Sequence, residues 1–235
     1  SYWIYDTIDY YIAPCQEVKQ ELIDKGVIND KIKVLGIPVD PGFSKQVSTE
    51  EIIRKLELKQ DLPKILVMGG GQGLGPISSL VSILDQIDLN LEILVVTGIN
   101  RKLYHRIKNR ISSFKHRVKV FEFVDNIAEL MSVSELIITK AGGITTAEAL
   151  VKGLPMIIVK PLPGQEMSNT RYLIAKGAAL CVENIKDIRS VVKEMLLNKE
   201  KLNRMRQSAR LISMPHSSID IANLIIELSK NNGDI

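Results

Sequence analysis

The sequence predicts an α/β chain built on a doubly wound parallel sheet, and two observations carry that prediction. Short apolar, β-branched runs recur at 63–69, 92–98, 117–124, 135–142, 155–161 and 178–183, and they are continuous rather than alternating. Continuous runs mark strands buried on both faces, as in a parallel sheet covered by helices. Segments with helical spacing separate the runs. Between the first two, Ile77, Leu80, Val81 and Leu84 recur as an amphipathic crossover helix requires. Strand–helix alternation repeated this often is the pattern of a doubly wound domain.

Taken in order, residues 1–44 read as a unit of their own. "SYWIYDTIDYYIAP" is aromatic-rich and strand-like, "CQEVKQELIDKG" is helical in character, and "IKVLGIPVDPGF" reads as a strand closed by prolines. The chain does not open on Met and reads as the middle of something, so a fragment of a longer protein is expected. Pro38 and Pro41 punctuate a linker, and Ser48-x-x-Glu51 then has capping-box spacing at the head of "STEEIIRKLEL". The second unit runs from 45 to 235. Near its end Ile221, Leu224, Ile225 and Leu228 form one helical face within about 216–230, a helix that could cross back to the first unit, before a polar, frayed tail.

Composition narrows the function. The formal net charge is +4 and the sequence pI near 8.9, with basic residues scattered. That fits ordinary solubility and tolerates an anionic membrane surface, but it lacks the basic stripe and aromatic ladder of a nucleic-acid module. Cys15 and Cys181 lie far apart, which argues for a reducing compartment and against a disulfide scaffold or zinc site. The sequence contains no apolar run approaching the roughly 20 residues of a membrane span and no signal-peptide pattern.

In an open α/β sheet ligands bind beyond the carboxyl ends of the strands, so the strand exits are where chemistry is sought. The first exits into "GGGQGLG" (69–75), where glycines admit an anion close to the backbone and a following helix adds partial positive charge. It matches neither the Walker loop, which needs Gly-Lys-Ser/Thr where Gly75-Pro76-Ile77 stand, nor the dinucleotide fingerprint. The second strand ends in Thr97-Gly98 without an acidic residue to hold a nicotinamide cofactor's ribose. A plain strand-to-helix turn remains the alternative.

The fourth strand exits into Ala141-Gly142-Gly143, with a helix expected from about Thr145 and Glu148 in its first turn. Glu148 either closes a capping box with Thr145 or accepts hydrogen bonds from ribose hydroxyls. The fifth exits into "KPLPGQEMSN", a Pro-Gly turn that displays Gln165 and Glu166 at the start of a helix. An amide beside a carboxylate suits a polyhydroxyl ligand, although Glu is also simply favourable at a helix N-terminus. Two anion loops and one hydroxyl-reading turn together describe a nucleotide sugar. The three histidines, His105, His116 and His216, read as surface residues or caps rather than bases, with His216 the one weak candidate.

The stretches "VMGGGQGLG", "FEFVDNIAELM", "KAGGITTAEALVKGLP" and "PLPGQEMSN" resemble the donor-binding domain of processive diacylglycerol glycosyltransferases and monogalactosyldiacylglycerol synthases, GT-B enzymes related to the murein N-acetylglucosaminyltransferase. The N-terminal stretch through "GIPVDPGF" resembles the end of that family's acceptor domain and its linker. The resemblance spans the chain to about residue 230 and implies a Rossmann-like GT-B donor domain at 45–235. It places Gly71, Gln72 and Gly73 against the donor diphosphate, and the backbones of Phe123 and Val124 at uracil. Gly142, Gly143 and Thr145 fall at phosphate, Glu148 at ribose, and Gln165, Glu166 and Asn169 at the hexose.

The implied reaction moves a hexose from UDP-glucose or UDP-galactose to diacylglycerol or a glycosyl-diacylglycerol with inversion, without a metal or cofactor. The implied location of the full-length enzyme is the cytoplasmic face of the cell membrane. Its catalytic base and membrane-contacting surface are expected in the part of the acceptor domain this sequence does not include, so this polypeptide alone is expected to bind UDP weakly and transfer nothing. A murein-type UDP-N-acetylglucosamine lipid transferase, a nucleotide-sugar epimerase and a non-catalytic UDP-sugar-binding module are the alternatives. An epimerase needs an acid and base pair in the cleft, which the sequence does not show.

Overall fold

The structure is a computed structural model and describes residues 4, 5 and 7–231. The opening "SYW" of the expected first strand and the expected frayed tail at 232–235 lie outside the described residues. The chain divides into two compact units, Ser1–Ser44 with Met214–Ile235, and Lys45–Ser213.

In the first unit β1 (Tyr11–Ala13) pairs in parallel with β2 (Ile32–Val34), Tyr11 opposite Ile32, and α1 (Gln16–Asp24) makes the crossover. Parallel neighbours need such a connection because a tight hairpin cannot reverse the chain twice. Ala13, Val27 and Ile32 form its small core. The C-terminal helix (Ser217–Asn231) packs in this unit. Ser217 Oγ donates to the Ile37 carbonyl at 2.8 Å and accepts from Val39 N–H at 3.2 Å. Of the apolar face expected on it, Ile221, Leu224 and Leu228 are partly buried, but Ile225 is 59% exposed. The i, i+3, i+7 row faces inward and Ile225 falls beside it.

The second unit opens with α2 (Thr49–Lys55), whose N-cap Ser48 Oγ accepts from Glu51 N–H. Then β3 (Lys64–Met68), α3 (Ile77–Leu84), β4 (Glu92–Val96), α4 (Arg101–Lys108) and β5 (Arg117–Phe121) alternate. They are followed by α5 (Ile127–Ser132), β6 (Leu136–Thr139), α6 (Gly143–Val151), β7 (Met156–Val159), α7 (Gln165–Ala175) and β8 (Ala179–Val182), and closed by α8 (Ile188–Leu197) and α9 (Lys199–Leu211). Among the described residues the strands form one parallel sheet in the order β5-β4-β3-β6-β7-β8. Renumbered within the unit this is 3-2-1-4-5-6, the order whose direction of winding reverses between the first and fourth strands. All residues of β3, β4, β6 and β7 are buried, as continuous apolar runs require. The face of α3 predicted from its spacing (Ile77, Leu80, Val81, Leu84) is 0–2% exposed. Each such side chain stabilises the fold by roughly 1.5–3 kcal/mol through burial.

At the amino ends of the strands a buried charge cluster holds the sheet to α2. Glu92 is 0% exposed. Its Oε2 accepts from Lys59 N–H at 3.0 Å, and its Oε1 lies 2.9 Å from Arg117 Nε, as an ion pair rather than an aligned hydrogen bond. Lys64, 3% exposed, donates to the carbonyls of Lys59, Gln60 and Leu62. Arg117 and Lys119 donate to the Glu57 and Leu56 carbonyls that end α2. Cations therefore satisfy the orphan carbonyls of a helix end.

His116 departs from the surface or cap role expected of it. It is 8% exposed, its Nε2 lies 2.9 Å from the Ile87 carbonyl, and its N–H donates to Asp85. The position immediately before β5 turns the ring under the sheet edge. His105 and His216 are exposed.

Candidate functional site

The reversal of winding falls between β3 and β6, and both glycine loops leave the sheet there. The loop after β3 is folded back on itself, with Gly73 N–H donating to the Gly70 carbonyl at 3.0 Å and Leu74 N–H to the Gly69 carbonyl at 3.1 Å. It interlocks with the loop after β4. Ile99 N–H donates to the Gly71 carbonyl at 2.9 Å, and Asn100 Nδ2 to the Gly73 carbonyl at 3.3 Å, while Asn100 Oδ1 caps α4 through Leu103 N–H. Gly73 stands at φ +58°, and a Cβ there would run into the Thr97 carbonyl. Only glycine fits.

At the tip, Gly71 and Gln72 are exposed, and among the described residues their N–H groups have no acceptor. Across the switch point α6 begins at Gly143 on an extended Gly142 (φ −70°, ψ 137°). Its first turn leaves the N–H groups of Gly143, Ile144 and Thr145 without intrahelical acceptors, at the positive end of the helix dipole. Two sets of backbone donors thus flank one crevice, which is an arrangement for a polyanion.

Lys140 follows β6 directly, on the side of the glycine loop. An ideal Cβ on Gly70 would lie 3.9 Å from its Cε, so its stem runs beside the glycine loop. Its Nζ is 2.8 Å from Glu166 Oε1 at the head of α7. The Pro-Gly turn, with Gly164 at φ +93°, aims that helix back at β6. Glu166 Oε2 also accepts from Leu162 N–H at 3.1 Å, and Asn169 Nδ2 donates to the Ala141 carbonyl at 2.9 Å. Burial pushes the Glu166 carboxyl up, but the Lys140 and Leu162 hydrogen bonds outweigh it and hold the group below the ordinary glutamate range.

The strand exits also expose apolar side chains. Leu74, Ile99, Phe123, Ile144 and Leu162 are 52–63% exposed.

Comparison with known proteins decides the family. The glycosyltransferase family 28 C-terminal domain matches residues 64–221. The chain belongs to this family. A second family, monogalactosyldiacylglycerol (MGDG) synthase, matches residues 1–39. The chain is 34% identical over 228 residues to the processive diacylglycerol beta-glucosyltransferase of Bacillus pumilus (strain SAFR-032), covering 97% of this chain and 59% of that protein. It is 32% identical over 242 residues to monogalactosyldiacylglycerol synthase 2, chloroplastic, of Arabidopsis thaliana, covering 99% of this chain and 51% of the relative. Among solved structures it superposes on S. aureus MnaA in its UDP co-structure with TM-score 0.74 at 18% identity, over 92% of this chain and 60% of that one. The family 28 chain therefore spans between about half and three-fifths of the length of these relatives. The GT-B-type fold expected from the resemblance is the fold it adopts.

Of the residues singled out in this family 28 domain, Gly71, Gln72, Gly142, Gly143 and Thr145 meet at the switch point. Gly73, Gln165, Glu166 and Asn169 border it, Gly73 as the buried hinge of its loop. Phe123 and Val124 lie two strands away after β5, and among the described residues neither backbone is hydrogen-bonded. The expected helix start at Thr145 is corrected. The helix begins two residues earlier because the Gly142 carbonyl already accepts from Thr146 N–H and Oγ1, each at 3.0 Å. Glu148 is then the sixth helical residue, outside the first turn, and a Thr145–Glu148 capping box is geometrically excluded. Lys140 and Asn100 were not anticipated. The signal for Lys140 was present, a lone cation at the mouth of an otherwise apolar strand in "ELIITKAG".

The Glu166 contacts give a pH prediction. A carboxyl depressed in the fold contributes stability that is present above its unfolded pKa of about 4.3. That contribution is lost as pH falls through the lower folded value. Wild type is expected to lose thermal stability below about pH 4.3 more steeply than Glu166→Gln. Glu129, likewise depressed by its hydrogen bonds from Lys55 and Asn126, remains in both proteins and cancels. Parallel melting curves of the two proteins below that pH would contradict the assignment.

Proposed function

We propose that this family 28 domain holds a UDP-hexose, UDP-glucose or UDP-galactose, and that it serves hexosyl transfer to diacylglycerol or a glycosyl-diacylglycerol at a membrane surface with inversion at the anomeric carbon. The observation that carries the reading is the pair of glycine loops flanking the β3–β6 reversal with their N–H groups open. In this reading uracil lies at Phe123 and Val124, which follow β5, the ribose at Glu148 on α6, the diphosphate between the β3 and β6 loops, and the hexose at Gln165, Glu166 and Asn169, which follow β7. With strands about 4.8 Å apart, those exits span roughly 19 Å.

The chemistry asked of these residues is leaving-group stabilisation. Preorganised N–H groups, the α6 dipole and Lys140 would meet charge as it develops on the departing diphosphate. The reading takes the donor as the only small molecule required besides the acceptor. A general base must come within hydrogen-bond reach of the acceptor hydroxyl, and no residue of this chain is assigned that role.

Calorimetric titration of the 235-residue chain with UDP tests the reading. Binding is expected, and Lys140→Met is expected to weaken it about tenfold, the equivalent of one charge-assisted contact. The chain alone is expected to show no hexose transfer. Absence of UDP binding, or amide shifts on UDP addition confined to residues away from the two glycine loops, would sink the proposal.

A further inference from the structure

A cavity lies at the end of the sheet opposite the glycine loops, where the strands begin. It encloses about 650 Å³ among the starts of β3, β6 and β7 and the helices α2 and α9. Five cations line it, Lys64, Lys152, Lys199, Arg206 and Arg210, against the carboxylates Asp61 and Glu135. Two of the five are committed, Lys64 to backbone carbonyls and Arg206 to Glu135. Among the described residues Lys152, Lys199 and Arg210 have no carboxylate within 4.0 Å.

Lys152 is the informative one. It is partly buried, and its only hydrogen bond among the described residues is a long one, 3.5 Å, to the Lys45 carbonyl. Burial pulls its ammonium pKa down with no anion to restore it. A partly desolvated cation without a partner is unfavourable, and structures normally supply one. Arg210 is held over Gly153, where a Cβ would approach its Nε to 2.6 Å, so its stem covers a position only glycine leaves open. A planar guanidinium and two ammonium groups around one recess are donors suited to the oxygens of a phosphate.

We propose that this cavity is a second anion site, taking a phosphate-bearing group through Lys152, Lys199 and Arg210. β3 is five residues long, which sets the site roughly 16 Å from the glycine loops at the far end of the strands. Phosphate chemistry can reach it from a soluble phosphate ester or from a lipid headgroup. Because it shares no residue with the donor loops, the site stands whether or not UDP binds there.

The test uses amide chemical shifts of the 235-residue chain titrated with inorganic phosphate, with chloride at matched ionic strength as reference. In a second arm the chain is sedimented with phosphatidylcholine vesicles with and without phosphatidate. Phosphate is expected to shift the amides of Lys152, Gly153 and Arg210 saturably, and chloride is not. Lys152→Met and Arg210→Met are each expected to weaken that binding about tenfold, while Lys102→Met on α4 leaves it unchanged. Phosphate binding without phosphatidate-dependent sedimentation identifies a soluble ester as the ligand. Sedimentation lost in Lys152→Met identifies the headgroup. Equal shifts from chloride, or equal affinity in all three variants at unchanged melting temperature, overturn the proposal.

Discussion

Alanine at Gly73 is expected to abolish UDP binding and to destabilise the second unit, whereas alanine at Gly71 is expected to weaken UDP at least about tenfold without changing stability. The left-handed backbone at Gly73 alone costs about 1–2 kcal/mol for a residue with a side chain. The larger part comes from the added methyl, which cannot coexist with the Thr97 carbonyl, so the interlocked loops after β3 and β4 must separate. Gly71 is different. Its φ is not left-handed and a Cβ there would meet nothing, so the fold tolerates alanine. The methyl would instead occupy the space through which a phosphate approaches the backbone. Gly75→Ala, with φ +99° but open space, supplies the control of strain without collision. Thermal melts and UDP titrations of the three variants check this. Unchanged UDP affinity in Gly71→Ala would show that the tip of the loop does not meet the diphosphate.

Removing the Glu92 carboxylate is expected to cost more stability than any other single truncation considered. Glu92 is fully buried and serves Arg117 and the Lys59 N–H together. Its loss takes the facing carboxylate from Lys64, which is 3% exposed, and leaves the Lys59 N–H unmet, and breaking such a buried charge cluster costs about 3–5 kcal/mol. For a chain of this size that corresponds to roughly 6–20 °C in Tm. Arg117→Ala is expected to cost less, because the arginine is 40% exposed and water can replace it. The denaturant midpoints of the two variants give the comparison. A loss under about 1 kcal/mol for Glu92→Ala would mean the cluster adds no net stability.

The parallel sheet was legible because burial on both faces leaves a run such as "KILVM" no polar position, and the pattern survives every detail of packing. The strand exits could be located from the same runs. Register of the helix ends could not. The Thr145–Glu148 spacing matched a capping box, yet the extended Gly142 and the Thr146 hydroxyl started α6 earlier. Local spacing cannot see which residue takes the extended cap conformation. The burial of His116 is hidden from local sequence for a related reason, since it depends on the Ile87 carbonyl 29 residues away. The place of Lys140 is likewise invisible locally, because it depends on Gly70 and Glu166, which only the sheet order brings alongside it. Strand order is a tertiary outcome, and every two-strand contact at the site waits on it.

The lock between the loops after β3 and β4 has a consequence for how a ligand is retained. With the Gly71 and Gly73 carbonyls already engaged by Ile99 and Asn100, the cradle has little freedom left to surrender when a diphosphate arrives. Capture should then proceed without a slow ordering step, and differences in affinity among variants that keep this lock should appear in residence time rather than in the speed of association.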